Sequence, residues 1–241
     1  MINFKLSALA LAMAVAGATT SAQAAPVTYN FTANISSLSE LQSTGSFADV
    51  ASASLGGSHI ALGEKVSGSI TYDAATAQFA FDNLPDEPNT SYSYALPTFN
   101  LQYKTESGGY SFSSVPGNPD SATTFNDPTG DSLTFDSVST EQRLGLDLLN
   151  YIRFGFFDQS SQLLNSAAMP ASLGAAGQVV GSFAGIFRTT DFTSNINYSA
   201  TLTSFAPAVT AVPEPETYAM MLAGLGMLGM AARRKRGGDK V

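Results

Sequence analysis

The chain contains no cysteine, no tryptophan and a single histidine, His59. Without cysteine it has no disulfide bond, no thiolate for a zinc site and no attachment point for an N-terminal lipid. A single imidazole does not make the nitrogen and sulfur ligand set that zinc usually takes, and one loop histidine needs no catalytic role. Chemistry that depends on thiols or histidine clusters is therefore not expected.

Positive charge is scarce outside the two ends of the chain. Five cations lie within residues 25–211, namely Lys65, Lys104, Arg143, Arg153 and Arg188. Sixteen carboxylates lie in the same range, which gives it a net charge of −11. Nucleic acid is an unsuitable partner for such a protein, because phosphates need cationic side chains. At long range the charge repels anionic polymers and attracts divalent cations.

The first long apolar run is at the N-terminus. Lys5 precedes the apolar segment 6–17, and Ala22 and Ala24 place small residues at the −3 and −1 positions of a cleavage site. This pattern predicts a signal peptide over residues 1–24, removed by signal peptidase after Ala24.

The second long apolar run is at the C-terminus. Two prolines, Pro213 and Pro215, form an extended polar collar before it, because proline fixes its own φ and restricts the residue before it. Residues 217–232 would span about 24 Å as a helix, slightly less than the ~30 Å hydrocarbon core of a bilayer. The cations at 233–236 would hold its end at the cytoplasmic face. We therefore predict a transmembrane helix over about 217–232 and a cytoplasmic end at 237–241.

These C-terminal residues closely resemble the PEP-CTERM sorting signal of Gram-negative bacteria. The residues that carry the resemblance are Val212, Pro213, Glu214, Pro215, Thr217 and Tyr218, then Arg233, Arg234, Lys235 and Arg236. The five residues that follow, 237–241, extend beyond the point where many family members end. The resemblance is confined to the tail, 212–236, and the alternative is an ordinary membrane anchor that is never cut.

The resemblance implies a route through the cell envelope. An exosortase, an integral-membrane transpeptidase, would cut the tail near the Pro-Glu-Pro element during a transient stay in the inner membrane. The body would then pass to the cell surface or extracellular matrix of a bacterium that makes exopolysaccharide and biofilm.

Between the two termini, apolar residues recur at every second position. Examples are Tyr29 and Phe31, Ile70 and Tyr72, and Phe154 and Phe156. This period is typical of half-buried strands, and glycine, proline, asparagine and aspartate separate the segments. We predict one antiparallel β-sandwich or jelly-roll-like domain over 25–205, followed by a linker at 206–211. The side chains predicted to be buried are Tyr29, Phe31, Ile70, Phe154, Phe156 and Leu202. Turns at 73–76 and 107–109 predict two hairpins.

Candidate binding residues are few. Asp127 and Asp131 flank the turn Pro128-Thr129-Gly130, and their carboxylates are weak candidates for a Ca²⁺ site. The alternative is that they are solvated turn residues. Tyr92, Tyr94, Tyr103 and Tyr110 either stack on sugars or pack in the core. Ser58 and His59 would point to opposite faces of a strand, so they do not form a catalytic pair.

Two classes of function are compatible with these observations. The first is a non-enzymatic surface or matrix protein associated with exopolysaccharide. The second is a secreted polysaccharide hydrolase, or a carbohydrate-binding protein, with the same sorting tail. A hydrolase would need two carboxylates about 5–9 Å apart across a cleft, and no local motif marks such a pair.

Overall fold

The computed structural model describes residues 26–87, 90–115, 118, 120–173, 180–208 and 225. Fourteen strands form in this part of the chain: β1 (Val27–Leu41), β2 (Phe47–Asp49), β3 (Ser52–Leu55), β4 (Ser58–Ala61), β5 (Lys65–Tyr72), β6 (Gln78–Asp82), β7 (Ser91–Ala95), β8 (Asn100–Thr105), β9 (Ser111–Ser113), β10 (Ser121–Asp127), β11 (Gly130–Arg143), β12 (Leu146–Asp158), β13 (Val180–Thr189) and β14 (Asn195–Pro207). No helix of the described residues is long and apolar enough to cross a membrane. The predicted signal peptide lies outside the described residues, and so does the predicted transmembrane helix except for Leu225.

Twelve strands form one antiparallel sheet in the order β6-β7-β10-β11-β12-β13-β14-β1-β5-β8-β9, with β2 paired to the end of β1. The remaining two, β3 and β4, form a separate hairpin. Mainly antiparallel β structure is therefore confirmed. The predicted sandwich or jelly roll is corrected to one continuous curled sheet. The physical reason is that β1 and β14 pair along most of their length. Their hydrogen bonds join the strands on either side of this pair into one sheet.

Aromatic contacts show how strongly the sheet curls. Tyr72 of β5 and Phe135 of β11 have ring centroids 5.3 Å apart, although four strands separate β5 from β11 in the sheet. Phe31 of β1 similarly meets Phe154 of β12 at 4.9 Å. The side chains of the inner face therefore pack against one another and form the core. Serine, threonine and asparagine dominate the outer face of β1 and β5.

Five of the six side chains predicted to be buried lie in the core. Tyr29, Phe31, Ile70, Phe154 and Phe156 are all buried, as predicted.

Leu202 is the exception, since it is only half buried. It lies next to a register shift between β1 and β14 and against Gly181. A glycine offers no side chain to enclose it.

One predicted hairpin is wrong and the other is confirmed. The turn after β5 forms, with the Thr76 amide donating to the Asp73 carbonyl at 3.2 Å. However, β5 pairs with β1 and β8, whereas β6 pairs with β7. The turn at 107–109 does join a paired hairpin, β8–β9.

The connection between β12 and β13 covers part of the core, a feature that strand periodicity does not predict. The Tyr29 hydroxyl accepts from the Leu173 amide at 2.7 Å and donates to the Leu173 carbonyl at 2.8 Å. The Tyr94 hydroxyl donates to the Ala167 carbonyl at 3.0 Å. Leu164 of the same segment is also buried. Phenol groups at the rim of the core thus fasten an irregular segment over it.

The chain divides into two compact units, Met1–Ala208 and Val209–Val241. Strand β14 continues through Pro207, so it includes the first two residues of the segment that was predicted as a linker. The fold and the candidate site described here belong to the first unit.

Candidate functional site

Two of the backbone edges that the curled sheet leaves unpaired, within the described part of the chain, lie on β9 and on the end of β11. Strand β9 pairs only with β8 there, and β11 beyond Asp136 pairs only with β12. Residues of both edges line a groove of ≈ 860 Å³. Its lining comprises Asn30, Phe31, Thr32, Ser67, Gly68, Ser69, Gln102, Tyr103, Lys104, Ser111, Phe112, Ser113, Val115, Ser139, Thr140, Glu141, Arg143 and Asn150.

Eight of these side chains form two parallel rows across β9, β8, β5 and β1. The rows follow directly from strand register: Ser113–Gln102–Ser69–Asn30 and Ser111–Lys104–Ser67–Thr32. Adjacent strands are about 4.8 Å apart, so each row extends about 14 Å. Alternation along the strands puts both rows on the outer face, opposite the buried aromatic residues.

Most of these polar groups have free hydrogen-bonding capacity. Gln102 Nε2 donates to Ser69 Oγ at 3.1 Å, and Thr32 exchanges hydrogen bonds with Thr203 and Ser204. Among the described residues, the side chains of Asn30, Ser67, Lys104 and Ser111 make no hydrogen bond or ion pair with the protein. Their donors and acceptors are therefore available to solvent or to a ligand.

The β11 and β12 residues of the lining are held by an ion pair. Arg143 Nε lies 2.8 Å from Glu141 Oε2, and Arg143 Nη1 donates to Ser58 Oγ at 2.9 Å. Asn150 Nδ2 donates to Glu141 Oε1 at 3.3 Å. Glu141 is the one carboxylate among the lining residues, so this described lining does not contain the pair that a glycosidase uses.

A network of buried tyrosine hydroxyl groups supports Asn150 from the core. The Tyr110 hydroxyl donates to Asn150 Oδ1 at 2.7 Å, and Tyr198 donates to the Tyr110 hydroxyl at 3.3 Å. Tyr103 and Tyr198 share a further hydrogen bond. Burial raises the pKa of Tyr110 to about 12 and raises the pKa values of Tyr103 and Tyr198 well above 10.0. The network therefore stays neutral at physiological pH and fixes the position of Asn150.

Burial also decides between the two alternatives for the tyrosines. Tyr94, Tyr103 and Tyr110 are buried, which confirms core packing rather than exposed stacking platforms at these positions. Tyr92 is half buried, with its ring 5.3 Å from that of Phe79.

The two carboxylates proposed for Ca²⁺ have different environments. Asp127 Oδ1 accepts from the Thr129 amide at 2.8 Å and from its hydroxyl, which holds the Asp127 pKa below its usual value. Asp131 is fully buried, its Oδ2 accepts from the Leu164 amide at 3.0 Å, and its Oδ1 has no partner among the described residues. Its register partner on β12 is another buried carboxylate, Asp158.

No group of three or more potential metal-binding side chains occurs in the part of the chain that the structure describes. The Ca²⁺ site at Asp127 and Asp131 stays a prediction.

Ser58 and His59 lie on opposite faces, as predicted: Ser58 is buried and His59 is exposed. His59 Nδ1 instead lies 3.0 Å from Ser54 Oγ, across the β3–β4 hairpin. The His59 amide donates to the Gly109 carbonyl at 2.8 Å, which attaches this hairpin to the β8–β9 turn.

The groove was not anticipated from the sequence, because its residues come from six strands and form no local motif. The sequence shows only polar residues at alternate positions of each strand. The other predicted sites, which are the signal-peptide residues Ala22 and Ala24 and the ten sorting-signal residues, lie outside the described residues.

Comparison with known proteins identifies the tail. No match to the chain was found among curated proteins. The family model of the PEP-CTERM protein-sorting motif matches residues 211–236, one residue longer at its start than the segment that we predicted. Such a motif implies export and processing by an exosortase at the membrane on the way to the surface. The C-terminal tail of this chain is a PEP-CTERM protein-sorting motif.

Proposed function

We propose that this protein is a non-enzymatic component of the cell surface or extracellular matrix, where it associates with exopolysaccharide. In this proposal a signal peptide exports the chain, the tail is held transiently in the inner membrane, and an exosortase releases the body. The observation that carries the proposal is the sorting motif at residues 211–236.

Each part of the tail has a separate physical role in the proposal. Pro213 and Pro215 stiffen an extended segment just outside the bilayer. The Tyr218 ring lies at the interface, where amphipathic aromatic rings are favoured. The basic residues at 233–236 stop translocation and set the depth of the span. The exosortase then meets a rigid element at a fixed height above the membrane.

Substitutions should distinguish the role of the stiff proline segment from that of the basic residues, which set the depth of the span. Changing Pro213 and Pro215 together to Ala should leave the span inserted but uncut, so that a membrane-bound precursor accumulates. Changing Arg233, Arg234, Lys235 and Arg236 to Gln should give unprocessed, mislocalised protein, because the stop is lost. Cell fractionation and intact-mass measurement in a host with an active exosortase report both outcomes.

Two controls make the result specific. Replacing the three arginines of the cluster with Lys keeps the charge and should preserve processing. The variant Pro207→Ala removes a proline from the body and should leave the tail cut normally. If wild-type protein from that host still carries residues 233–241, the tail is an uncut anchor and the sorting proposal fails.

The polar groove supports the association with polysaccharide, since its side chains match a ligand rich in hydroxyl groups. The alternative of a hydrolase can be tested on the same material. Incubation of the purified protein with matrix polysaccharide should release no new reducing ends. Steady release that a carboxylate-to-amide substitution abolishes would replace the non-enzymatic proposal with the hydrolase.

A further inference from the structure

We infer that the two polar rows on the outer face of β9, β8, β5 and β1, which line the groove, bind a segment of a neutral polysaccharide. This inference rests on the proposed function and assigns its ligand contact to a specific surface.

The hydrogen-bonding groups of the groove favour a polyhydroxylated ligand. The two rows present hydroxyl and amide groups that both donate and accept, as sugar hydroxyls do. Their register on neighbouring strands repeats similar groups along the groove, which suits a polymer better than a compact small molecule. At the β9 edge the Val115 side chain is 45% exposed and offers an apolar surface for the C–H face of a sugar ring.

Charge favours a neutral polymer over an anionic one. Within the described lining, Arg143 is already paired with Glu141, which leaves Lys104 as the cation free to attract an anion. The carboxylates of the body exceed its cations by eleven, so the long-range field repels a polyanion. Two consequences distinguish the classes of ligand: binding of a neutral chain should hardly depend on salt, whereas binding of an anionic chain should weaken strongly with salt.

The groove is also firmly built. The Glu64 carboxylate joins the turn before β5 to the turn after β8 by accepting from the Ser107 amide at 3.1 Å and from its hydroxyl. The phenol network holds Asn150, on the β11–β12 side of the lining. A preorganised surface loses little conformational entropy when a ligand binds.

Native affinity electrophoresis of the full-length chain tests the inference. The gels would contain dextran, a mannan, an arabinogalactan, alginate or matrix polysaccharide extracted from producing cells. We expect retardation by the matrix polysaccharide and by at least one neutral polymer, with little change between low and high salt. Alginate should cause none.

Substitutions then locate the site. The triple variant Asn30→Ala, Gln102→Ala and Lys104→Ala removes exposed side chains from both rows and should weaken binding at least tenfold, which corresponds to about 1.4 kcal/mol. The matched control is Ser182→Ala with Thr201→Ala, a register pair of exposed hydroxyls on the outer face of β13 and β14 that does not line the groove. It should bind like the wild type. Equal melting temperatures of all three proteins would show that the fold is retained.

Every other outcome overturns the inference in an identifiable way. If wild type and triple variant bind equally, the groove is not the site, although the proposed function stands. If alginate binds more tightly than the neutral polymers and salt releases it, the ligand class is wrong. If no polysaccharide retards the wild type, both the groove and the matrix association fail, while the processing of the tail is judged separately by mass.

Discussion

Gly185 is the position where the structure makes its sharpest energetic prediction. It lies on the inner face of β13 between the buried residues Phe183 and Phe187, directly opposite Tyr198 of β14. A Cβ at position 185 would overlap Cζ and Oη of Tyr198. The phenol ring thus occupies the space that a side chain would otherwise fill, and from there it reaches Tyr103 and Tyr110.

The variant Gly185→Ala should therefore destabilise the fold in two ways. Overpacking a filled core costs about 1–3 kcal/mol. Displacing the Tyr198 hydroxyl from its hydrogen bonds costs about 1 kcal/mol more. The sum, about 2–4 kcal/mol, should lower the melting temperature of a domain of this size by roughly 5–15 °C. Thermal unfolding followed by circular dichroism measures this difference on the purified chain.

Gly155 on the neighbouring strand β12 is a matched control. A Cβ there would lie 3.6 Å from Thr134 Cγ2 and 3.9 Å from the Ser182 carbonyl oxygen, both ordinary contacts. Gly155→Ala should therefore leave stability unchanged or raise it by about 0.4–1 kcal/mol, because alanine restricts the unfolded chain. In a Tyr198→Ala background, Gly185→Ala should cost little, since the ring is gone. Equal melting temperatures for the two single glycine variants would refute the packing argument.

Two further predictions concern buried or partly buried carboxylates. Burial opposes ionisation of Glu64, but hydrogen bonds from Ser107 and Ala61 outweigh it and lower its pKa below the ordinary 4.5. The ionised Glu64 therefore stabilises the fold above pH 4.5, and this stabilisation is lost as the pH falls through the lower pKa of the folded state. The melting-temperature difference between wild type and Glu64→Gln should be largest at pH 7 and should become smaller in acid. A constant difference would contradict the stabilising role of the ionised Glu64. Asp131→Asn should stabilise the protein by about 1 kcal/mol in chelator, because it replaces one of two carboxylates in register with a hydrogen-bond donor. The wild-type melting temperature in chelator and in millimolar Ca²⁺ tests the predicted Ca²⁺ site: a decrease in chelator would show that a cation occupies this position, and equal values would show that none binds there.

The strand period was readable from the sequence because it depends on local alternation. Tyr29, Phe31 and Phe154 are buried where a period of two placed them. The error at Leu202 shows the limit, since a register shift and a neighbouring glycine on another strand reduce its burial. No pattern within a single strand encodes either feature.

The tail was determined by sequence alone, because a sorting signal is read as a linear order of proline, apolar and basic blocks. The pairing of strands was decided only by tertiary structure. Residues Phe79 and Phe81 follow a well-formed turn after β5, yet β6 joins β7 at the far end of the sheet. The groove has the same origin: Asn30, Gln102 and Glu141 are far apart in the chain, and only the register and curl of the sheet bring them into the lining of one groove.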